Sequence, residues 1–262
     1  MPTDPQRFEE RMNELLQVDP GSTAVLTVDM QRDYLDLEIA SSPVLESEAE
    51  RVLRSTRDLL TFARGLGVPV VHAYSTRRPE EITGNLEFGG VRYLLDSKAD
   101  GLSQNPLAGP KPVDRLMGSP NCEVHPDLVE PGDLHVPTKK TFDSYLYSDL
   151  DLVLGRLLRP RTVILVGINT DSCVYSTAFS TANRGYAPVV VRDCTASMRG
   201  IDRHEMALTL MSRSIAWVVT LEELKAKLTD GADLDRSLGR FLTAGTIAQV
   251  ATGTTTTVEA GN

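Results

Sequence analysis

Residues 161–197 read R-T-V-I-L-V-G-I-N-T-D-S-C-V-Y-S-T-A-F-S-T-A-N-R-G-Y-A-P-V-V-V-R-D-C-T-A-S, and this stretch indicates an α/β fold. The short β-branched run at residues 162–166 has the composition of a strand that is buried on both faces. A polar turn follows, and residues 174–184 have the pattern of a helix that ends at a glycine. Residues 187–191 predict a second buried strand. The stretch is therefore predicted to form a strand–turn–helix–strand unit.

A single thiol, that of Cys173, lies at the predicted start of this helix. Ligands of open α/β sheets bind outside the carboxyl ends of the strands. A helix N-terminus also lowers the pKa of a thiol and presents N–H donors. Cys173 is therefore the candidate nucleophile, and a buried structural cysteine is the alternative. Asp193, predicted to lie just past the second strand, fits a structural role and a functional role equally well.

The rest of the chain repeats the alternation of apolar runs and helical patterns. Further strands are predicted at residues 23–28, 68–73, 133–137 and 215–219, and helices at residues 5–17, 47–65, 148–158, 202–212 and 221–228. Strands joined by helical crossovers of this length run parallel. The sequence therefore predicts a parallel sheet.

Three segments are predicted along the chain. Residues 1–22 form an N-terminal helical arm, residues 23–228 the folded domain, and residues 229–262 a small, polar C-terminal arm that is partly disordered. Residues 74–124 lack clear periodicity, and we expect them to form loops that shape a pocket.

The overall composition excludes several classes of function. The chain has 262 residues, a net charge of -9 and no basic run, which argues against binding to nucleic acid or to anionic membranes. No apolar stretch reaches the ~18 residues of a membrane span, and the N-terminus lacks the apolar region of a signal peptide. A cytoplasmic location is expected. The three cysteines are an odd number without paired spacing, so free thiols are predicted.

Three chemically complementary side chains are predicted at the ends of separate strands: Asp29, Lys139 and Cys173. A thiol nucleophile needs a base that accepts its proton and a cation that favours its charged form. An aspartate beside a lysine supplies both, and the aspartate can return the proton to a leaving amine. The predicted chemistry is acyl transfer from a carbonyl to sulfur, followed by hydrolysis.

Several motifs in the chain resemble those of the isochorismatase-like cysteine hydrolases. They are V-D-M-Q-R-D-Y (28–34), the lysine that precedes F-D-S-Y-L-Y-S-D-L (142–150), G-I-N-T-D-S-C-V-Y-S-T-A (167–178), R-G-Y (184–186) and V-R-D (191–193). The resemblance covers residues 24–219. It implies a three-layer α/β sandwich, in which a six-stranded, doubly wound parallel sheet carries helices on both faces. It also implies a homodimer or a homotetramer.

The resemblance further implies roles for individual residues. Asp29, Lys139 and Cys173 take the places of an Asp-Lys-Cys triad. A cis peptide bond is implied between Ile168 and Asn169, with the backbone N–H groups of Asn169 and Cys173 forming an oxyanion hole.

The choice of lysine depends on spacing within the family. Family members place the lysine six residues before an aromatic residue, and counting back from Tyr145 gives Lys139. Lys140 should then face the other way, because neighbours on a strand alternate. Gln31, Tyr34 and Tyr145 are the candidate residues of the substrate pocket.

The amide-hydrolysing branches fit the sequence best. His72 has no second histidine nearby, which argues against the metal-binding nicotinamidase branch, so neither a metal nor a cofactor is expected. The predicted substrate is a small amide: carbamoyl, ureido, linear, or cyclic as in a lactam. Two alternatives stay open: a vinyl-ether or ester hydrolase led by Asp29, and a catalytically silent homologue that acts in binding or assembly. Arg77 and Arg78 could bind a substrate carboxylate, but exposed arginines are common and no role is assigned to them.

Overall fold

The structure is a computed structural model that describes residues 4–83 and 115–232, except for the side chains of residues 82 and 83. Within these residues lies a six-stranded sheet in which all neighbouring strands run parallel. Its strands are β1 (Thr23–Val28), β2 (Val70–Ser75), β3 (Leu134–Lys139), β4 (Thr162–Ile168), β5 (Ala187–Ala196) and β6 (Trp217–Val219). Their order is β3-β2-β1-β4-β5-β6, so the predicted doubly wound sheet is confirmed.

Helices connect the strands and cover both faces of the sheet. They are α1 (Pro5–Leu15), α2 (Arg32–Leu35), α3 (Glu46–Gly65), α4 (Pro79–Thr83), α5 (Leu150–Leu152, continuing as the π-helical segment Val153–Leu158), α6 (Tyr175–Asn183, preceded by the π-helical turn Thr170–Val174), α7 (Ile201–Ser212) and α8 (residues 221–232). Short 3₁₀ turns occur at Pro20–Ser22, Pro120–Cys122 and Pro126–Leu128. None of the helices in the described ranges is long and apolar enough to cross a lipid bilayer.

Two apolar cores lie on opposite faces of the sheet. On β4, Ile164 packs with residues of α3 and α8, whereas its neighbour Leu165 packs with residues of α5, α6 and α7. Successive side chains of a strand point to opposite faces, and here both faces are apolar. This burial explains the continuous apolar runs, and it confirms the three-layer arrangement.

The helix α1 packs against the edge of the sheet at β6. Asn13 donates a hydrogen bond from Nδ2 to the carbonyl oxygen of Val218 at 2.8 Å, and Trp217 donates from Nε1 to the carbonyl oxygen of Met12 at 3.1 Å. The helix thereby covers an edge that would otherwise present unpaired backbone groups. The predicted segment boundaries stay predictions, and residues 233–262 of the C-terminal arm lie outside the described residues.

The strand β5 is longer than the sequence predicts. Its pairing with β4 shifts register between Leu165 and Gly167, and the strand continues to Ala196. The Arg51 guanidinium, on α3, donates to the carbonyl oxygens of residues 192, 193 and 195 and so satisfies the irregular backbone. The prediction that Asp193 follows the strand is therefore wrong. Asp193 lies within β5, where its carboxylate accepts a hydrogen bond from the Leu221 N–H at 2.6 Å.

Gly167 allows β1 and β4 to approach each other near the carboxyl ends of the sheet. Its φ is 138°, and a Cβ atom placed there would lie 2.0 Å from the carbonyl oxygen of Val28. Only glycine fits such a close approach in this conformation. The contact sets the spacing between β1 and β4. These are the two central strands, and the strands that follow each of them lie toward opposite edges of the sheet.

Candidate active site

The structure brings Asp29, Lys139 and Cys173 together at the carboxyl ends of the strands. Asp29 follows β1, Lys139 ends β3, and Cys173 follows β4. The Lys139 Nζ lies 2.6 Å from the Asp29 Oδ2 and 3.5 Å from the Cys173 Sγ. The strand order diverges between β1 and β4, and such a switch point is where open α/β sheets bind ligands.

The Asp29 carboxylate is held in place by the end of the neighbouring strand β2. Ser75 donates both its backbone N–H and its hydroxyl to the Asp29 Oδ1, each at 3.0 Å, and the Lys139 Nζ lies 3.2 Å from the Ser75 Oγ. Asp29 itself has a φ of 50°, a left-handed conformation that aspartate tolerates better than most residues. The sequence analysis missed Ser75, because it ended β2 at residue 73. The signal that could have found it is its position at the carboxyl end of a strand.

Lys139 and Lys140 point in different directions. Lys139 is 1% exposed and faces the cluster, whereas the Lys140 Nζ donates to the Thr76 carbonyl oxygen at 2.6 Å and to the Glu81 carboxylate at 2.8 Å. Burial alone would lower the pKa of Lys139, but the Asp29 carboxylate and the Cys173 sulfur outweigh it and raise that pKa above its usual value. The Lys139 ammonium therefore stays charged at neutral pH.

The Cys173 thiol is protonated at neutral pH. Burial raises its pKa from 9.0 to about 11, with the Lys139 ammonium acting in the opposite direction and the Asp29 carboxylate adding to the rise. Cys173 lies in the π-helical turn Thr170–Val174 rather than at the first turn of the α-helix. The lowered thiol pKa expected from a helix start is thus not found, because burial outweighs the nearby positive charge.

The turn that carries Cys173 is fixed by contacts to the residues that follow β5. The peptide bond between Ile168 and Asn169 is cis, as the resemblance implies. The Asn169 Oδ1 accepts a hydrogen bond from the Met198 N–H at 2.8 Å. Asp171 accepts from the Ser197 hydroxyl at 2.7 Å and pairs with the Arg199 guanidinium at 2.9 Å. The oxyanion role of the Asn169 and Cys173 N–H groups stays a prediction.

Tyr34 lies beside the cluster and under an arginine that the sequence analysis missed. The Arg115 guanidinium is 4.6 Å from the centroid of the Tyr34 ring, and its Nε donates to the Asp33 Oδ2 at 2.9 Å. Burial raises the pKa of Tyr34, with the Arg115 guanidinium acting in the opposite direction and the Asp29 carboxylate adding to the rise. The Tyr34 hydroxyl therefore stays uncharged, and its ring borders the cluster. Arg115 carried no sequence signal, because it lies within the long stretch without periodicity at residues 74–124.

Gln31 and Tyr145, the other two pocket candidates, differ in where they lie. Gln31 is fully buried, and its Nε2 donates to the carbonyl oxygens of Ser75 at 2.8 Å and Cys122 at 2.7 Å. Tyr145 packs in the core, with its hydroxyl 3.0 Å from the Thr181 Oγ1. The described contacts thus place Gln31 beside the cluster through Ser75, and they give no support to the pocket role predicted for Tyr145.

The remaining thiols and histidines of the described chain have other surroundings. Cys122 and Cys194 are buried and form no disulfide, and burial raises the pKa of Cys194 to about 12. His72 lies between Thr27 and Asp133, at 2.7 Å and 3.2 Å. His204 lies 2.8 Å from the Thr170 hydroxyl, so it supports the turn that carries Cys173. Residues 4–83 and 115–232 contain no group of three or more potential metal ligands.

Comparison with known proteins identifies the family. The family model described as "Isochorismatase domain" matches residues 23–223. The chain belongs to the isochorismatase family. The resemblance seen in the sequence motifs is thereby confirmed.

Curated relatives in this family share somewhat over a quarter of their residues with the chain. A ureidoacrylate amidohydrolase RutB from Caulobacter vibrioides is 29% identical over 219 residues, which cover 81% of this chain and 93% of the relative. The RutB enzyme of Pseudomonas syringae pv. syringae is 27% identical over 217 residues, covering 80% of this chain and 85% of the relative.

Solved structures share the fold of this isochorismatase-family chain. A cysteine hydrolase from Pseudomonas syringae pv. phaseolicola superposes with a TM-score of 0.66 at 22% identity, covering 82% of this chain and 96% of that one. N-carbamoylsarcosine amidase from Thermoplasma acidophilum superposes with a TM-score of 0.55 at 22% identity, covering 76% and 96%.

Proposed function

We propose that this protein is a metal-independent cysteine hydrolase that cleaves the C–N bond of a small amide through a thioester. The single observation that carries the proposal is the buried contact of one ammonium group, that of Lys139, with both the Asp29 carboxylate and the Cys173 sulfur. A carboxylate, a cation and a thiol in mutual contact form the arrangement that nucleophilic catalysis by sulfur needs. The substrate class includes carbamoyl and ureido compounds, linear amides and lactams.

The first half of the reaction starts from a protonated thiol. Because the pKa of Cys173 is about 11, proton transfer from the Sγ to the Asp29 carboxylate accompanies attack of the sulfur on the amide carbonyl carbon. The C–S bond forms as the carbonyl oxygen becomes an oxyanion. Asp29 then gives the proton to the leaving nitrogen, the C–N bond breaks, and ammonia or an amine departs from a thioester.

In the second half of the reaction, the same groups hydrolyse the thioester with a water molecule. Asp29 accepts a proton from a water molecule as the water oxygen attacks the thioester carbonyl, and the C–S bond breaks. The proton returns to the Cys173 sulfur, and the acid leaves. Lys139 stays charged throughout, so its ammonium lowers the energy of the anionic sulfur in both halves.

The relatives support amide hydrolysis over the other chemistries that the family fold can host. The curated relatives named above are ureidoacrylate amidohydrolases, and one protein with the same fold is an N-carbamoylsarcosine amidase. Each of these names describes cleavage of an amide or carbamoyl C–N bond.

The test is release of ammonia or amine from a panel of nicotinamide, carbamoyl amino acids, ureido acids, maleamate and small lactams. We expect turnover of at least one member, and a loss of at least about a thousandfold in kcat for Cys173→Ala, because no other group can form the thioester. Cys194→Ala is the matched control, because it removes a buried thiol outside the cluster and should retain activity.

Two results would overturn the proposal. Undiminished amide hydrolysis by Cys173→Ala would remove sulfur from the reaction and favour a reaction led by Asp29. Saturable binding of panel members without turnover would instead favour the silent binding homologue.

A further inference from the structure

Arg115 presents a nearly buried cation to the catalytic cluster. Its side chain is 12% exposed, and its Nε is committed to Asp33, a carboxylate that is fully buried. No residue in the described part of the chain accepts a hydrogen bond from its two terminal nitrogens. The backbone of Arg115 has a φ of 33°, a left-handed conformation that is uncommon for a residue with a side chain. Strain of this kind concentrates at functional positions.

The loop that carries Arg115 is joined to the end of β2. The Arg77 N–H donates to the Arg115 carbonyl oxygen and the Met117 N–H to the Arg77 carbonyl oxygen, each at 2.9 Å. These bonds bring a second guanidinium, that of Arg77, close enough to Arg115 for their charges to repel. Burial, and then the Arg115 charge, lower the pKa of Arg77.

Arg115 also acts electrostatically on the catalytic residues themselves. Its charge interacts with the Asp29 carboxylate, with the Lys139 ammonium and with the Cys173 thiol. Its guanidinium is held on the short helix α2, which closely follows Asp29 in the chain, by the contacts with the Tyr34 ring at 4.6 Å and with Asp33 at 2.9 Å.

Three cations around this region form ion pairs with carboxylates, whereas Arg77 has no ion-pair partner among the described residues. Lys139 pairs with Asp29, Arg115 with Asp33, and Lys140 with Glu81, which also pairs with Arg78. The Cys173 thiol is protonated and adds no negative charge. Buried charges are costly unless they are paired. An anionic ligand would supply the missing partner.

We propose that Arg115, with Arg77 on the backbone paired to it, binds a carboxylate of the substrate, so that the preferred substrate is an amide that carries an acid group. The inference rests on the proposed function and narrows its substrate to N-carbamoyl, ureido and related amido acids. A guanidinium binds a carboxylate through parallel N–H groups, and the terminal nitrogens of Arg115, which donate to no acceptor among the described residues, are suited to that geometry. Binding the acid group there would hold the amide against Cys173 in one orientation.

The test compares pairs of substrates that differ only in the acid group. The pairs are 3-ureidopropionate with n-butylurea and N-carbamoylglycine with n-propylurea. We expect the wild-type protein to prefer the acid of each pair by at least about tenfold in kcat/KM. Arg115→Gln should lose about 10- to 100-fold more kcat/KM on the acids than on the neutral ureas, with the additional loss mainly in KM. Arg78→Gln is the matched control, because Arg78 is 66% exposed and next in sequence to Arg77.

Two further variants allow the carboxylate site to be tested even if Arg115→Gln folds poorly. Arg115→Gln leaves Asp33 buried without its cation, whereas the double variant Asp33→Asn/Arg115→Gln removes both charges and should fold. Arg115→Lys keeps the charge but loses the parallel N–H groups, and it should recover only part of the preference for the acids.

Failure of this inference is distinguishable from failure of the proposed function. Equal losses on acids and neutral ureas, or a wild-type protein that favours the neutral member, would overturn the carboxylate site and leave amide hydrolysis standing. If the wild-type protein hydrolyses none of the four compounds, calorimetric binding of 3-ureidopropionate to Cys173→Ala decides. Binding that Arg115→Gln abolishes supports the carboxylate site, and no binding overturns it.

Discussion

The ammonium group of Lys139 contacts both the carboxylate of Asp29 and the thiol of Cys173. It lies 2.6 Å from a carboxylate and 3.5 Å from a thiol, and all three side chains are almost completely buried. In this enclosed setting the sulfur keeps its proton at neutral pH, because burial raises the pKa of Cys173 to about 11. In the proposed mechanism Asp29 is the base that the thiol needs, and it already lies within the cluster.

At the scale of a single residue, this protonation state predicts how Cys173 reacts with alkylating agents. The thiolate is the reactive form, so the rate of alkylation of Cys173 by iodoacetamide should keep rising about tenfold per pH unit from pH 7 to pH 10. An unstructured cysteine peptide should level off near pH 9 under the same conditions. The rates are followed by mass spectrometry of the Cys173 peptide. A plateau below pH 8 would contradict the raised thiol pKa.

The same shift has a defined consequence for stability in alkali. The folded pKa of about 11 lies above the ordinary value of 9.0, so the unfolded chain loses the thiol proton first as the pH rises. The contribution of Cys173 is complete below pH 9 and is lost between pH 9 and pH 11.

At the scale of the strands, the site depends on how closely β1 and β4 approach. Gly167→Ala would place a methyl group 2.0 Å from the Val28 carbonyl oxygen in a left-handed conformation, so the strands must separate. We expect a loss of about 3 kcal/mol or more in the free energy of unfolding. Gly185→Ala, with a φ of 84° and no atom within 4 Å, should cost only about 1 kcal/mol through its backbone conformation. Urea denaturation of both variants measures the difference, and equal losses would contradict the contact.

Prediction from sequence succeeded where the determining interactions are local. The strand β1 was predicted to the residue, because its apolar run is short and polar or turn-forming residues lie at both ends. The predicted carboxyl end of β5 was wrong, because Arg51 holds the polar residues there in the strand. Arg51 is 141 residues away from Arg192 in the chain. Pairings over such distances leave no periodic signal.

The candidate site was predictable to the same extent. The three residues of the cluster lie at or after the ends of β1, β3 and β4, which the apolar runs of the sequence mark to within about two residues. Ser75 and Arg115 were missed, because the first lies just past a misplaced strand end and the second gains its position from a buried contact with Asp33. Their roles become visible only when separate parts of the chain are brought together.

At the scale of the whole molecule, stability in mild acid should depend on His72. This imidazole is fully buried, its Nδ1 lies 2.7 Å from the Thr27 hydroxyl, and its Nε2 lies 3.2 Å from the Asp133 carboxylate. Burial lowers its pKa from 6.5 to about 4, although the hydrogen bond to Asp133 acts in the opposite direction. The unfolded chain therefore binds the proton first as the pH falls. The contribution to stability is complete above pH 6.5 and is lost as the pH falls toward 4.

The expected result is a steeper acid limb in the wild-type protein than in His72→Gln. A single proton of this kind gives a slope of at most about 1.4 kcal/mol per pH unit in the free energy of unfolding. Urea denaturation between pH 7 and pH 5 measures the slopes. His135→Gln is the comparison variant, because His135 is the exposed partner of His72 on β3 and contributes less to the His72 pKa than burial does, so its removal should change the slope much less than His72→Gln. Parallel slopes for wild type and His72→Gln would disprove the assignment.

The burial of Cys173 also bears on how the protein withstands oxidants. Hydrogen peroxide attacks thiolates, and the first product, a sulfenic acid, is oxidised further unless a second thiol captures it. A sulfur that is 5% exposed and keeps its proton until about pH 11 offers peroxide little thiolate. We therefore expect Cys173 to react slowly with peroxide at neutral pH and to stay in its reduced form.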